Sequence, residues 1–424
     1  MSVWGGAENG DYSDPNSQFS THRMAETENL AAFWEAGFGD DPENCMDEKF
    51  RFPLKEIMEL GEQMYVFFRD ELRFAIQGDS VSDKYRINLY FFYNEDGTVY
   101  GGGCENTIGA MWLSPNRVKR GPHGALAHEM GHSWHYITWV DRMSKQPPDA
   151  AENKRRGGPG MAFGEMSCQY MLWQFYPEWL TFENYHLVAF RKEAHLAFLH
   201  TNNAYRAAHV LEYWASSRGK GIIGDIWRLR EDHEDPVMTY KRLNNIGQDA
   251  FIAEMFDGAR RFITWDIDRI RDASAAHANL QECALTAAQD GWYTITPNYC
   301  PGNYGYNGIR LEVPAAGTNV ELTFKGIAGD AAFKQIQVEK AGWRYGFLAM
   351  TTDGERIYSD MYADANGKAV FTIPEKTAFL WLVVMGAPTE HWAFERSENN
   401  EKDEQWPYQI KLSGTGFHEM VSIV

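Results

Sequence analysis

Nowhere in the 424 residues is there an uninterrupted apolar run of about 20, the length a spanning helix needs, so no transmembrane segment is expected. Cysteine is scarce. The five (Cys45, Cys104, Cys168, Cys283 and Cys300) include no C-x-x-C pair, which disfavours a structural zinc knuckle or a thioredoxin-like site, although Cys283 and Cys300 lie close enough in sequence to bridge. Basic charge is short as well: 40 Lys and Arg against 59 Asp and Glu give a formal net charge of −19. A broadly acidic surface repels phosphate, so no nucleic acid or anionic membrane is expected as a partner. The densest basic run, "KRRGG" from Lys154, is too short to change that. A G-x-S-x-G elbow, a Walker loop and a dinucleotide fingerprint are all missing. The opening "MSVWGGAENGDYSDPN" lacks the charged start and apolar core of a signal peptide.

What is present is the composition of a folded protein, 44% apolar and 14% aromatic, at a length that allows two or three domains with sizeable cores. The first 50 residues are polar and read as an irregular segment with one helical patch, "AETENLAAFWEAGFG". From Pro53 to about Phe74 the apolar spacing is helical. "YRINLYFFYNEDGTVYGGG" then reads as a strand, a turn on Asp96-Gly97 and a second strand, and "IGAMWLSP" as a third. Helical patterns run on to about residue 288, broken by the polar stretch "KQPPDAAENKRRGGPG" at 145–160. After about Gly291 short apolar runs alternate with Gly, Pro, Asn and Asp turns, the pattern of an antiparallel sandwich. These shifts predict an irregular segment 1–50, a helical domain 51–288 and a strand domain 289–424, with the linker near 285–292. "ERSENNEKDE" from Glu395 reads as a solvated loop.

Chemistry concentrates in "HEMGHSWHY", residues 128–136. On a helix His128, His132 and His135 fall within about 60° of one another, while Leu126, Met130, Trp134 and Ile137 gather opposite. His128 and His132, one turn apart, can direct nitrogen lone pairs at a single ion. Glu129, next around the wheel, is placed to reach a water beside it, which is the logic of H-E-x-x-H: two ligands and a general base. His418-Glu419 begins the same pattern but meets Ser422 where the second histidine belongs.

A catalytic zinc needs a third protein ligand. Metzincins place glycine and histidine where this chain has His135 and Thr138, so that class is excluded. Asp141, Glu152, Glu165 and Glu178 are the acidic candidates downstream, and His135 is a rival from the motif itself. Glu165 is favoured because it sits mid-helix in "MAFGEMSCQYMLWQFY", too apolar a segment for a carboxylate without a partner. Cys168, in the same helix, reads as core rather than nucleophile. For an oxyanion donor, "TNNAYRAAHVLEYW" offers Tyr205 and His209 at helical i, i+4 spacing; each can equally be a packed or surface residue. Trp292, Tyr304, Tyr306 and Trp343 read as packing aromatics before a glycan-stacking platform.

"HEMGH" followed by "GEMSCQYM" resembles the gluzincin zinc metallopeptidases. More narrowly, the stretch from about Tyr85 to Asp266 and the tail "LWLVVMGAPTEHW" resemble an uncharacterised bacterial family with a gluzincin-like domain followed by a β-sandwich. The gap from His132 to Glu165 is longer than in thermolysin-like enzymes. The resemblance implies one Zn2+ held by His128, His132 and Glu165, with Glu129 as base, and export: a secreted, periplasmic or cell-surface protein whose signal peptide is not in this sequence.

The expected fold is α+β, a zincin-like metallopeptidase domain, mostly helical with a small mixed sheet, and a C-terminal antiparallel β-sandwich. The expected activity is zinc-dependent hydrolysis of a protein, peptide or glycoprotein substrate. The alternatives are a catalytically weak zincin-fold surface protein whose sandwich binds glycan or protein, and a glycopeptide-directed zinc hydrolase.

Overall fold

The computed structural model describes residues 1–3, 11–145, 160–179, 184–393 and 402–424. It is a mixture of helices and sheets and divides into two compact units, Met1–Trp179 with Trp214–Thr239, and Leu180–Tyr213 with Tyr240–Val424. The polar stretch 145–160, with Glu152 and the basic run from Lys154, lies outside the described residues apart from its ends, and so does most of the Glu395 tract. No helix among the described residues is long and apolar enough to cross a membrane.

The first unit is built on a five-stranded sheet of order β1-β2-β3-β5-β4, from β1 (Met24–Glu26), β2 (Leu30–Trp34), β3 (Ile87–Phe91), β4 (Val99–Cys104) and β5 (Ile108–Leu113). β2, β3 and β5 run parallel, and every residue of β2 and β3 is buried, as a strand covered on both faces requires. This corrects two expectations. Residues 24–34 of the segment expected to be irregular form paired strands, and the patch expected to be helical is the β1–β2 hairpin, Ala25 opposite Ala32. Its turn is fixed by the Glu62 carboxylate, which accepts from the Asn29 backbone N–H at 2.6 Å and from the Thr27 hydroxyl. Sheet burial outweighs the local helical spacing of Leu30, Phe33 and Trp34. Likewise the strands flanking Asp96-Gly97 do not pair with each other, since β5 lies between them and β4 forms the antiparallel edge.

α1 (Leu54–Val66) buries Leu54, Ile57, Met58, Gly61, Met64 and Tyr65, a single stripe at helical spacing. α2 (Gly124–Ser144) carries the histidine motif and α3 (Met161–Phe175) the Glu165 segment. The later helices are α4 (Tyr185–Glu193), α5 (Ala208–Arg218), α6 (Ile222–Leu229), α7 (Pro236–Leu243) and α8 (Gln248–Thr264); α6 belongs to the first unit, α4 and α8 to the second.

Among its described residues the second unit has ten strands: β6 (Cys283–Ala287), β7 (Tyr293–Ile295), β8 (Tyr306–Leu311), β9 (Asn319–Gly326), β10 (Trp343–Thr351), β11 (Arg356–Tyr358), β12 (Asn366–Thr372), β13 (Thr377–Gly386), β14 (Tyr408–Ser413) and β15 (Val421–Ile423). They form a four-stranded sheet, β11-β10-β13-β8, and a six-stranded sheet, β12-β9-β14-β7-β6-β15, antiparallel except for the β6–β15 pair. Ile309, Phe347 and Leu382 of the smaller sheet share one core cluster with Leu322, Phe324 and Ile410 of the larger. Phe324 stacks on Tyr345 with ring centroids 4.2 Å apart. The expected linker at 285–292 is not where the units part. β6 already belongs to the six-stranded sheet, and α4 and α8 bring Phe190 and Phe262 onto Tyr306 of β8, so helices that sequence pattern assigned to the first domain are core elements of the second. All five cysteines are buried free thiols, Cys283 and Cys300 included. Tyr304, Tyr306 and Trp343 are buried packing residues.

Candidate metal centre

α2 is laid down as its wheel dictates. Leu126, Met130, Trp134 and Ile137 are fully buried, and the opposite side presents His128 and His132. α3 packs against that side through Gly131, where an added Cβ would come within 2.8 Å of Cys168 Sγ and 3.3 Å of its Cα. The close approach aims Glu165 between the two rings. One carboxylate oxygen, Oε2, lies 3.1 Å from His128 Nε2 and 3.2 Å from His132 Nε2. The ring centroids are 5.0 Å apart and nearly perpendicular. With their side chains 11%, 22% and 16% exposed, the three groups are sheltered yet open to an ion from solvent.

These spacings test the fit to a metal. Ligands about 2.0–2.2 Å from a tetrahedral zinc stand roughly 3.3–3.5 Å from one another. The two separations from Glu165 fall within a few tenths of an ångström of that edge, and two imidazoles with one carboxylate are zinc's usual donors in open sites, although the group whose ligand atoms all lie within 4.8 Å of one another is His128, His132 and Cys168. Cys168 Sγ also lies within 4.8 Å of ring nitrogens of His128 and His132. Its thiol is fully buried and pushed well above its ordinary pKa by burial, whereas Glu165 is already a carboxylate, so Glu165 is the better third donor. Asp141 is engaged elsewhere, accepting from the Val81 N–H at 2.7 Å. Glu231, His233 and Glu234 form another compact group, but two of the three are exposed and Glu234 is already engaged, its Oε2 accepting from the Glu231 N–H and the Thr239 hydroxyl, each at 3.0 Å.

The electrostatics follow from the same contacts. Burial alone would raise the Glu165 carboxyl, but hydrogen bonds from the His128 and His132 imidazoles hold it well below the usual carboxylate range. Burial opposes charge on His132, and Glu165 with Glu129 more than offsets it, lifting the imidazole above its ordinary value. Glu129 is raised, chiefly by burial, against the lowering pull of both imidazoles and of the Gly101 N–H.

That N–H was not legible in the sequence. It donates to Glu129 Oε2 at 2.6 Å, from β4, 28 residues upstream of the base. Position 101 must be glycine, since a Cβ there would sit 1.8 Å from the Glu129 carbonyl oxygen. The "YGGG" run was the available signal for such an approach.

Residues 4–419 match the profile described as "Family of unknown function (DUF6055)". The chain belongs to the DUF6055 family. No curated protein matches it. Among solved structures, the Yersinia pseudotuberculosis-derived mitogen is 12% identical over 30% of this chain and 85% of its own, with a TM-score of 0.19. The M60 catalytic domain with the CBM51-1 and CBM51-2 domains from Clostridium perfringens ZmpB is 8% identical over 95% of this chain, with a TM-score of 0.25, and the present chain spans 60% of its length. At those scores neither likeness decides anything about fold or activity, and the functional reading rests on the geometry.

The remaining candidates in this DUF6055 chain are placed as follows. His135 is a packing residue: its ring stacks on Trp227 of α6 at 3.7 Å and 7°, its Nε2 is 3.0 Å from Ser167 Oγ, and burial drives its pKa well down. The Trp227 indole N–H donates to the same Ser167 oxygen at 3.1 Å, so the third histidine locks α3 to α2 and α6. Tyr205 and His209 do not share a helix face, because α5 begins only at Ala208. Tyr205 is exposed, and its backbone carbonyl meets His186 Nδ1. His209 is fully buried among Phe190, Phe262 and Trp265, with both ring nitrogens lacking a hydrogen-bond partner. A ring enclosed in a core cannot meet a substrate, which removes His209 as an oxyanion donor.

Proposed function

We propose that this protein is a zinc-dependent hydrolase of peptide bonds of the gluzincin type, with a catalytic first unit and a β-sandwich second unit. The observation that carries the reading is the single Glu165 oxygen within 3.2 Å of both motif imidazoles. His128, His132 and Glu165 would hold the metal, and when bound it supplies a Lewis acid and makes water more acidic. Glu129 works as general base. Its Oε2 is tied to the Gly101 N–H, leaving Oε1 to take a proton from the attacking water and pass it to the departing amine. β4 is an edge strand whose Gly101 amide touches the base, and its remaining outer backbone groups offer pairing for an extended substrate, which favours an endopeptidase. Tyr205, the other sequence candidate for the oxyanion donor, belongs to the second unit and is given no role here.

The test is elemental analysis of the purified chain combined with chelator-sensitive cleavage of casein, mucin and peptidoglycan, each repeated with Glu129→Gln. One zinc per chain and turnover lost in that variant support the reading. A fully loaded protein with no turnover on any of the three supports a surface binding protein instead, and absence of metal overturns both.

A further inference from the structure

α3 turns a second donor toward the motif besides Glu165. Cys168 follows it by three residues, about one helical turn, on the same side of the helix. Its Sγ and one ring nitrogen each of His128 and His132 all lie within 4.8 Å of one another. The approach is built into the packing. Gly131 opens the surface of α2 at this point, and a Cβ there would come 2.8 Å from the sulfur. The ring of His135 stands beside the thiol, its Nδ1 3.7 Å from Sγ, and is fixed in turn by its stack on Trp227 and its contact with Ser167.

The chemistry of sulfur decides which ion this set prefers. Cys168 forms no disulfide, and at 0% exposure it cannot attack a substrate. In the empty site the thiol keeps its proton, because burial pushes it well above its ordinary pKa. It becomes a ligand only to an ion whose bond to sulfur outweighs the cost of releasing that proton. Zinc has the alternative of Glu165, already ionised, and leaves the thiol unused. Softer ions prefer thiolate to carboxylate. Their longer bonds also suit donors spread over as much as 4.8 Å better than the tetrahedral edge of zinc does.

We infer that His128, His132 and Cys168 form a second, thiolate-containing binding mode of the metal centre, selective for soft divalent cations such as cadmium. On binding, the S–H bond breaks, a sulfur–metal bond forms and the proton passes to solvent. Both modes need the same two imidazoles, so a soft ion excludes zinc and inhibits the proposed hydrolase. That consequence rests on the zinc reading above, whereas the binding mode itself does not.

Titration of the metal-free full-length chain with cadmium chloride tests it. A thiolate-to-cadmium charge-transfer band in the ultraviolet should grow to saturation and be lost in Cys168→Ala, with circular dichroism verifying that the variant is folded. Cadmium NMR of the native chain reports a thiolate donor without any substitution, so the test survives a variant that does not fold. Zinc uptake, measured by elemental analysis on the same samples, tests the Glu165 reading separately. A band in the native chain that disappears from the folded variant supports the thiolate mode, whether or not zinc binds. Cadmium bound without a band, a band that persists in the folded variant, a cadmium resonance free of sulfur or no cadmium uptake at all overturns it, even where zinc binds.

Discussion

Replacing Gly101 by alanine puts the link between β4 and the base to a quantitative test. The new Cβ would stand 1.8 Å from the Glu129 carbonyl oxygen and 2.6 Å from its carbon, where ordinary contact begins at 3.4 Å, so something must yield by about 3.4 − 1.8 = 1.6 Å. Neither party can swing aside: the oxygen belongs to the backbone of α2, and Gly101 is paired in register with Met111 of β5. Overpacking against backbone should fall at the upper end of the usual range, about 3 kcal/mol. For a unit of roughly 200 residues that lowers Tm by about 6–12 °C. The same displacement pulls the amide off Glu129 Oε2, and misplacing a catalytic group by about 1 Å costs on the order of 10²-fold in rate. Gly102→Ala is the control. Its Cβ would meet only ring atoms of Tyr100 and Trp112, at 3.9 and 4.0 Å, and should change stability by less than about 0.5 kcal/mol. Thermal unfolding and peptide cleavage measured on the pair decide the matter. Equal stability and equal rates in the two variants would refute the claimed contact.

Glu129→Gln should retain zinc while lowering turnover by roughly 10²–10⁴-fold, and an active variant would remove Glu129 as base. Glu165→Ala should lower zinc occupancy by elemental analysis, and full occupancy would show that another residue is the third ligand. His209→Leu should flatten the acid limb of stability. Burial holds the folded ring's pKa near 3 while the unfolded chain titrates near 6.5, so as pH falls between those values only the unfolded state gains the proton and stability is lost. At about 1.4 kcal/mol per unit, the native protein should lose roughly 2 kcal/mol more than the variant between pH 6.5 and 5 in urea unfolding; parallel curves would place a solvated ring at 209. A thiol reagent should label none of the cysteines in the native protein and all five after denaturation, and fewer after denaturation would reveal a bridge.

The parts of this molecule that could be read from sequence are those whose determinants lie within one helix turn or in a clear mismatch of polarity. His128 and His132 both meet one Glu165 oxygen because the helix repeat puts them on one face, and Leu126, Met130, Trp134 and Ile137 are buried for the same reason. Glu165 stood out because an acid in so apolar a helix needs a partner, and its oxygen does lie against both rings. The strand-rich character of the last third was equally plain from its turns. What was misread depends on distant segments. Leu30–Trp34 resembles a helical patch until β1 and β3 flank it, and α4 and α8 look like parts of a helical domain until Phe190 and Phe262 are found against Tyr306. Tyr205 and His209 matched a helix spacing, but no helix spans them.

Charge, more than spacing, ties the site residues together. Glu129 and Glu165 bring two carboxylates into one sheltered place beside two imidazoles, at the junction of an edge strand and two helices. Without an ion, protons must compensate that charge, and they already do so in part: Glu165 is held ionised by its imidazole partners while His132 is drawn upward. Such an arrangement contributes little to stability compared with an apolar packing of the same volume, because desolvating the charges offsets most of their attraction. A divalent cation would balance both carboxylates at once. That balance is what the proposed metal would supply, and His135, Ser167 and Trp227 supply the uncharged packing that keeps α2 and α3 in place around the cluster.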